Sequence, residues 1–229
     1  MKRVFLAIFL SFLFWNSSHD LMAQKKISYL ALGDSYTIGE AVKETQRWPV
    51  VLSEKLNDLG HKVELKKIVA TTGWTTDELL KAVDEDEQLT NSEFQLVSLL
   101  IGVNNQYRGY PIKQYKKEFE LLLKKAIVLA GNDPEKVFVV SIPDYGITPF
   151  AIEKGKDSKV VGEEILKYNT LARDISLKYS VNFYDITPLS LKAMIGPENY
   201  LAKDQLHPSA KMYEEWVDYI FSGVSQQLK

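Results

Sequence analysis

The 229-residue chain contains no cysteine. That excludes disulfides, thiolate metal sites and a cysteine nucleophile. Histidine is scarce as well: His19, His61 and His207 are the whole complement. Three scattered histidines without cysteine do not make a zinc site. The acidic run Asp84-Glu85-Asp86-Glu87 lacks the spacing and glycine of a calcium loop and reads as a solvated helix end. No metal or other cofactor is expected. There is no surplus of either charge: 28 Lys and Arg stand against 30 Asp and Glu, a formal charge of −2. A chain that lives on nucleic acid usually carries a basic surplus, so nucleic acid is not an expected partner. Internal repeats, low-complexity runs, Gly/Ser/Pro-rich linkers and any insertion large enough for a lid are also missing.

Long apolar runs are limited to the start. Met1-Lys2-Arg3 is basic, and Val4 to Trp15 is apolar except for Ser11. A polar stretch, Asn16 to Asp20, leads to Leu21-Met22-Ala23. Basic head, apolar middle and a small residue at a cut form the layout of a secretory signal. Twelve residues are too few to span a bilayer, which takes about 20. The expectation is a signal peptide over residues 1–23, an exported protein (periplasmic or extracellular), and a single domain over 24–229. No stable membrane span should remain after removal. The expected mature chain loses Lys2, Arg3, Asp20 and His19, leaving two histidines.

The whole chain has 45% hydrophobic and 25% charged residues, the balance of a globular protein. After residue 23 the pattern alternates strand and helix. Apolar or β-rich runs occur at 27–32, 62–70, 94–101, 136–142 and 181–186. Between them lie helical stretches. Trp48 to Leu59 has Pro49 in its first turn and Gly60 past its end. Thr76 to Val83 has Thr75 or Thr76 as its cap. Ile112, Tyr115, Phe119, Leu122, Leu123, Ala126 and Ile127 repeat with helical period. Further stretches run from Val161 to Tyr179 and around Met212 to Ile220. This alternation predicts right-handed crossovers and a parallel sheet covered on both faces. The expected fold is a three-layer α/β/α sandwich with five parallel strands in the flavodoxin-like order 2-1-3-4-5. Ligands in such folds bind outside the carboxyl ends of the strands, near the switch point between strands 1 and 3.

The segments expected at that edge are Gly33-Asp34-Ser35-Tyr36, Thr71-Thr72-Gly73-Trp74, Gly102-Val103-Asn104-Asn105, Pro143-Asp144-Tyr145-Gly146 and Asp204-Gln205-Leu206-His207-Pro208. Together they offer a hydroxyl, glycine amides, a carboxamide, an imidazole and carboxylates, the parts of a serine hydrolase. Serine needs a base. His61 falls at the amino end of strand 2, the wrong edge, so His207 is the base by elimination. Asp204, three residues earlier, is placed to reach the Nδ1 side of that ring. The Ser35 amide, the Gly73 amide and the Asn104 side chain can converge on an oxyanion. Each element alone also has an ordinary reading. Gly-Asp-Ser makes a good strand-to-helix turn, Gly73 can serve backbone geometry, and Asn104 can be a loop or capping residue. Order and placement on one edge make them a set.

At these residues the chain resembles the SGNH hydrolases, or GDSL esterase/lipase superfamily. Gly33-Asp34-Ser35 is similar to the first block, Gly73 to the second-block glycine, Gly102-x-Asn104 to the third block and Asp204-x-x-His207 to the last. The resemblance implies Ser35 as nucleophile, Asp204 and His207 as its triad partners, and Ser35, Gly73 and Asn104 as oxyanion donors. It implies a small-molecule ester as the partner: a carboxylic ester of esterase, lipase or lysophospholipase type, or an O-acetylated carbohydrate on the same triad. One departure is Asn105, where the family usually has Asp in a supporting place. Tyr36, Trp74, Tyr107 and Tyr145, with Tyr110 and Phe150 nearby, are aromatic candidates for lining an acyl groove or stacking on sugar. Arg108 could meet an anion, although a lone loop arginine is usually solvated. A non-catalytic binding protein on the same scaffold would show a lost triad member, and none is lost. A flavin module would need a phosphate-binding first loop, where Asp34 would repel phosphate.

Overall fold

The computed structural model describes residues 26–89 and 92–229. The expected signal segment and its cut after Ala23 lie outside those residues. In chain order the elements are β1 (Ile27–Gly33), α1 (Ser35–Ile38), α2 (Trp48–Asp58), β2 (Val63–Ala70), α3 (Thr76–Glu85), β3 (Leu96–Leu100), α4 (Val103–Tyr107), α5 (Ile112–Leu129), β4 (Val137–Val140), α6 (Pro149–Glu153), α7 (Ser158–Lys178), β5 (Asn182–Tyr184), α8 (Thr187–Ser190), α9 (Pro197–Tyr200) and α10 (Ala210–Gln227). The five strands form one sheet in the order β2-β1-β3-β4-β5, and every neighbouring pair is parallel. Helices α2 and α10 pack together, while α3, α5 and α7 pack side by side.

The apolar runs explain the layers. β3 and β4 are buried along their whole length, as strands covered on both faces must be. Helix α5 buries Tyr115, Phe119, Leu122, Leu123, Ala126 and Leu129, one stripe at helical spacing. Helix α10 buries Met212, Tyr213, Trp216, Val217, Ile220 and Val224 in the same way. Thr75 caps α3, and its backbone N–H donates to Glu78 Oε2 at 2.8 Å, the reach-back half of a capping box.

Two features differ from the sequence pattern. The strands are shorter than the apolar runs: Phe94 and Ile101 are buried but lie outside the β3 ladder. Burial extends past the last strand hydrogen bond because loops also pack on the core. Residues 187–200 form short helical turns before α10, and no run of helical period announces them.

Register positions the functional edge. Gly33 pairs with Ala70 of β2 and with Leu100 of β3. The carboxyl ends of the three central strands are therefore level. The chain leaves them at residues 34, 71 and 101, so Ser35, Gly73 and Asn104 emerge side by side.

Candidate active site

Ser35 is the first residue of α1, in a turn that tolerates little change. A Cβ on Gly33 would lie 2.1 Å from Thr37 Oγ1 and 2.5 Å from the Leu100 carbonyl. Only glycine lets β1, β3 and α1 meet this closely. Asp34 caps the helix, its Oδ1 accepting the Tyr36 N–H at 3.0 Å. The Ser35 N–H belongs to the first turn and has no partner within the helix.

Asp34 itself is fully buried, and its Oδ2 has no hydrogen-bond partner among the described residues. Burial pushes its carboxyl up to about 7, against the opposing pull of backbone N–H donors. A carboxyl raised in the folded state contributes stability that is complete below its unfolded value, near pH 4, and is lost as the pH climbs to about 7. Asp34→Asn keeps an oxygen for the Tyr36 N–H. It should be more stable than the wild type at pH 8, by up to about 4 kcal/mol, with no such advantage at pH 4. Urea unfolding at the two pH values checks this.

The Gly73 loop is held from α4. Gly73 has φ +87°, a conformation that disfavours side chains. Its carbonyl accepts from Arg108 Nη2 at 2.6 Å, and the next carbonyl, of Trp74, accepts from Asn104 Nδ2 at 2.9 Å. Asn104 thus has one side-chain N–H committed to the loop and a second one without a partner among the described residues. Arg108 also pairs with Glu78 at 3.4 Å, so it tethers the loop and is not simply a solvated loop arginine. Gly102, at φ +129°, starts α4, and a Cβ there would lie 2.5 Å from the Tyr115 ring.

Asn105 is fully buried, and its bonds explain the departure from Asp. Its Oδ1 accepts the Thr76 N–H at 3.0 Å, which fixes the amide orientation. Nδ2 then donates to Thr76 Oγ1 at 2.7 Å, so the threonine hydroxyl is free to donate to Glu118 Oε2 at 2.5 Å. A carboxylate at 105 would compete with Glu118 for that single proton. Asn105→Asp should therefore destabilise the protein by about 1–3 kcal/mol. Adding Glu118→Gln should recover most of the loss, because the chain of donors can then run the other way. Thermal unfolding of the single and double variants decides it.

His207 comes from a tight loop just before α10. The Ala202 N–H donates to the His207 carbonyl at 2.8 Å, and an antiparallel bridge joins Leu201 to Pro208. Inside the loop, His207 Nδ1 and Asp204 Oδ2 are 2.6 Å apart. Asp204 Oδ1 accepts the Leu206 and His207 backbone N–H groups, each at 3.0 Å. Burial alone would raise the Asp204 carboxyl, but the His207 bond and these two amides together hold it below the usual carboxylate range. The edge of Tyr36 packs on the imidazole, with centroids 5.5 Å apart at 61°. His61, in contrast, sits before β2 and bonds Ser225 Oγ at 3.0 Å.

Ser35, Gly73, Asn104 and His207 all line one cleft of about 130 Å³. Tyr36, Tyr107, Tyr145 and Phe150 line it too. Trp74 does not: its ring packs half-buried against the core, and only its carbonyl bears on the site. Tyr110 instead lines a neighbouring depression, with Gln106 and Tyr168. Thr72, Val103 and Leu206 line it as well; the sequence pattern gives them no role beyond membership of the edge segments, and their adjacency to Gly73, Asn104 and His207 is the available signal. In the acidic run, Asp84 pairs with Lys125 and Asp86 with Lys67.

The sequence profile of the GDSL-like lipase/acylhydrolase family matches residues 31–215. No curated protein matches the chain. Solved structures do. An esterase, EstA from Pseudoalteromonas sp., is 19% identical, covers 89% of this chain and 99% of its own, and superposes with a TM-score of 0.64. The lipase Lip_vut3 from a goat rumen metagenome is 20% identical over 89% of this chain and 100% of its own, with a TM-score of 0.67. The acetyl xylan esterase AlAXEase is 20% identical over 86% of this chain and 100% of its own, with a TM-score of 0.66. At these identities the likeness establishes a shared fold.

Proposed function

Since the chain belongs to the GDSL-like lipase/acylhydrolase family and is an ester-bond hydrolase, we propose that it works through an acyl-enzyme on Ser35. The observation that carries this reading is the 2.6 Å His207–Asp204 contact at the cleft that Ser35, Gly73 and Asn104 also line. Asp204 fixes the tautomer in which His207 Nδ1 bears the proton, leaving Nε2 to accept the serine proton. Ser35 Oγ attacks the ester carbonyl. The Ser35 and Gly73 N–H groups and the free Asn104 N–H receive the oxyanion. The C–O bond then breaks, and His207 returns the proton to the departing alcohol. Water, deprotonated by His207, releases the acid and restores Ser35.

The substrate is a small-molecule carboxylic ester. The apolar lining by Tyr107, Tyr145 and Phe150 supports an acyl group on one side of the cleft. The N-terminal pattern of Lys2-Arg3, Val4–Trp15 and Ala23 supports export. Among the described residues, no helix is long and apolar enough to cross a membrane.

Asn104→Ala tests the oxyanion assignment. It should lower kcat by on the order of 10²–10³, with a much smaller change in KM, because the bond strengthens only as charge develops. Steady-state kinetics on p-nitrophenyl acetate reads both constants. A loss below tenfold would remove Asn104 from this role.

A further inference from the structure

Backbone geometry defines the turn that carries Gly73. The Trp74 N–H donates to the Thr71 carbonyl at 3.2 Å, closing a four-residue turn. Gly73, the third residue, has φ +87°, while Thr72, the second, keeps an ordinary negative φ. That combination is a type II turn, with glycine where the turn requires it. Its central peptide carries the Thr72 carbonyl and the Gly73 N–H. In a type I turn the same peptide is turned over, and the N–H leaves by the opposite face. Glycine accepts either sign of φ, so residue 73 alone does not fix the direction of its N–H. Its neighbours must do so.

Four contacts hold this turn. The Thr72 hydroxyl donates to Glu40 Oε2. The Gly73 carbonyl accepts from Arg108 Nη2 at 2.6 Å. The Trp74 carbonyl accepts from Asn104 Nδ2 at 2.9 Å, and the Thr75 N–H donates to Glu78 Oε2 at 2.8 Å. Among the described residues, Arg108 is the one side chain that bonds Gly73 itself. The central peptide is hinged between Thr72, tied through its hydroxyl, and Gly73, tied through its carbonyl. With both hinges held, its N–H keeps one place.

Arg108 is itself braced. Its Nη1 lies 3.4 Å from Glu78 Oε2, the oxygen that also takes the Thr75 N–H. Its backbone N–H donates to the Asn104 carbonyl at 3.0 Å, at the end of α4. The Gly73 turn and the Asn104 side chain are therefore both referred to α4. Arg108 does not line the cleft, so its effect on a substrate passes through the turn.

We propose that Arg108 is a positioning residue of the oxyanion hole: by bonding the Gly73 carbonyl, with Glu78 behind it, it holds the turn in the form in which the Gly73 N–H serves the oxyanion. This inference rests on Ser35 as nucleophile and Gly73 as an oxyanion donor. A donor already in place needs no rearrangement as charge develops. Loss of the tether therefore falls on kcat, not on ground-state binding.

The test is steady-state kinetics on p-nitrophenyl acetate, with circular dichroism melting of each variant. Arg108→Met should lower kcat by roughly 10–100-fold, with KM changed by less than about threefold. Arg108→Lys keeps a donor for the carbonyl but not the fork that also meets Glu78, and should fall between. Gly73→Ala unsettles the same N–H directly. Its Cβ has room, with Arg108 Nη2 the nearest atom at 3.5 Å, but alanine avoids this φ. Adding Arg108→Met to Gly73→Ala should cost less than about threefold more, because the two act on one donor. A folded Arg108→Met with kcat within about threefold of wild type overturns the proposal. So do losses that multiply in full in the double variant. Should Arg108→Met fail to fold, Arg108→Lys and Glu78→Gln decide instead: kcat unchanged in both overturns it. Hydrolysis that persists in Ser35→Ala overturns the nucleophile assignment, and wild-type kcat in Gly73→Ala overturns Gly73 as a donor. Activity lost in those two but kept in Arg108→Met overturns the role of Arg108 alone.

Discussion

Ser35→Ala should lower kcat on a short p-nitrophenyl ester by on the order of 10⁵-fold or more, with the thermal midpoint nearly unchanged. The substitution removes one atom, the oxygen that the proposed mechanism joins to the acyl carbon. Everything that shapes the turn stays. Asp34 still caps α1 through the Tyr36 N–H, Gly33 still admits Thr37 and the Leu100 carbonyl, and residue 35 keeps its backbone N–H at the start of α1. Weak residual hydrolysis over water is expected, because oxyanion donors and binding act without a nucleophile. Kinetics paired with circular dichroism melting make the measurement. Activity within a hundredfold of wild type would mean that another group attacks the ester. A wild type that binds short esters without releasing acid would favour a ligand-binding role on this fold.

Asp204→Asn should lower kcat by on the order of 10⁴, again without unfolding the protein. The carboxylate does two jobs. Oδ1 accepts two backbone N–H groups and closes the loop, which an amide oxygen can still do. Oδ2 accepts from His207 Nδ1 at 2.6 Å, which an amide NH₂ cannot do. Asparagine would present a donor there, and imidazole would answer by moving its proton to Nε2. That nitrogen could then no longer take the proton from Ser35. Steady-state rates at pH 7 read the effect, and a loss below a hundredfold would detach Asp204 from the triad. The stability signature runs opposite to that of Asp34. A carboxyl held low in the folded state contributes stability above its unfolded value and loses it as the pH falls through its folded value. Wild type should therefore weaken in acid relative to Asp204→Asn, whereas Asp34→Asn gains on wild type toward alkaline pH.

The aromatic candidates show where reading in one dimension stops. Tyr36, Tyr107, Tyr145 and Trp74 looked equivalent, each on a loop at the functional edge. The structure separates them: three line the cleft, while Trp74 packs half-buried against the core. Nothing in the local sequence encodes which way a loop side chain faces. Arg108 is a similar case. As a lone loop arginine it suggested solvent or an anion, yet its partner is the Gly73 carbonyl, 35 positions away. Asn105 looked like a weakened family position, and it becomes intelligible only beside Thr76 and Glu118, which arrive from α3 and α5.

By itself, the sequence determined the class of the molecule. Alternating apolar runs and helical stripes specify a parallel sheet, because burial on two faces leaves a periodic record in the residues themselves. The scarcity of histidine singled out His207, and the three-residue spacing tied Asp204 to it within one loop. Those are local facts, and local facts survive in a linear chain. Tertiary structure alone decided how the strand ends align, which carbonyls hold the Gly73 loop and how much room the cleft leaves beside Ser35. Each of these depends on atoms far apart in the chain meeting within a few ångströms. That geometry is set by packing the whole core at once, and no single segment records it.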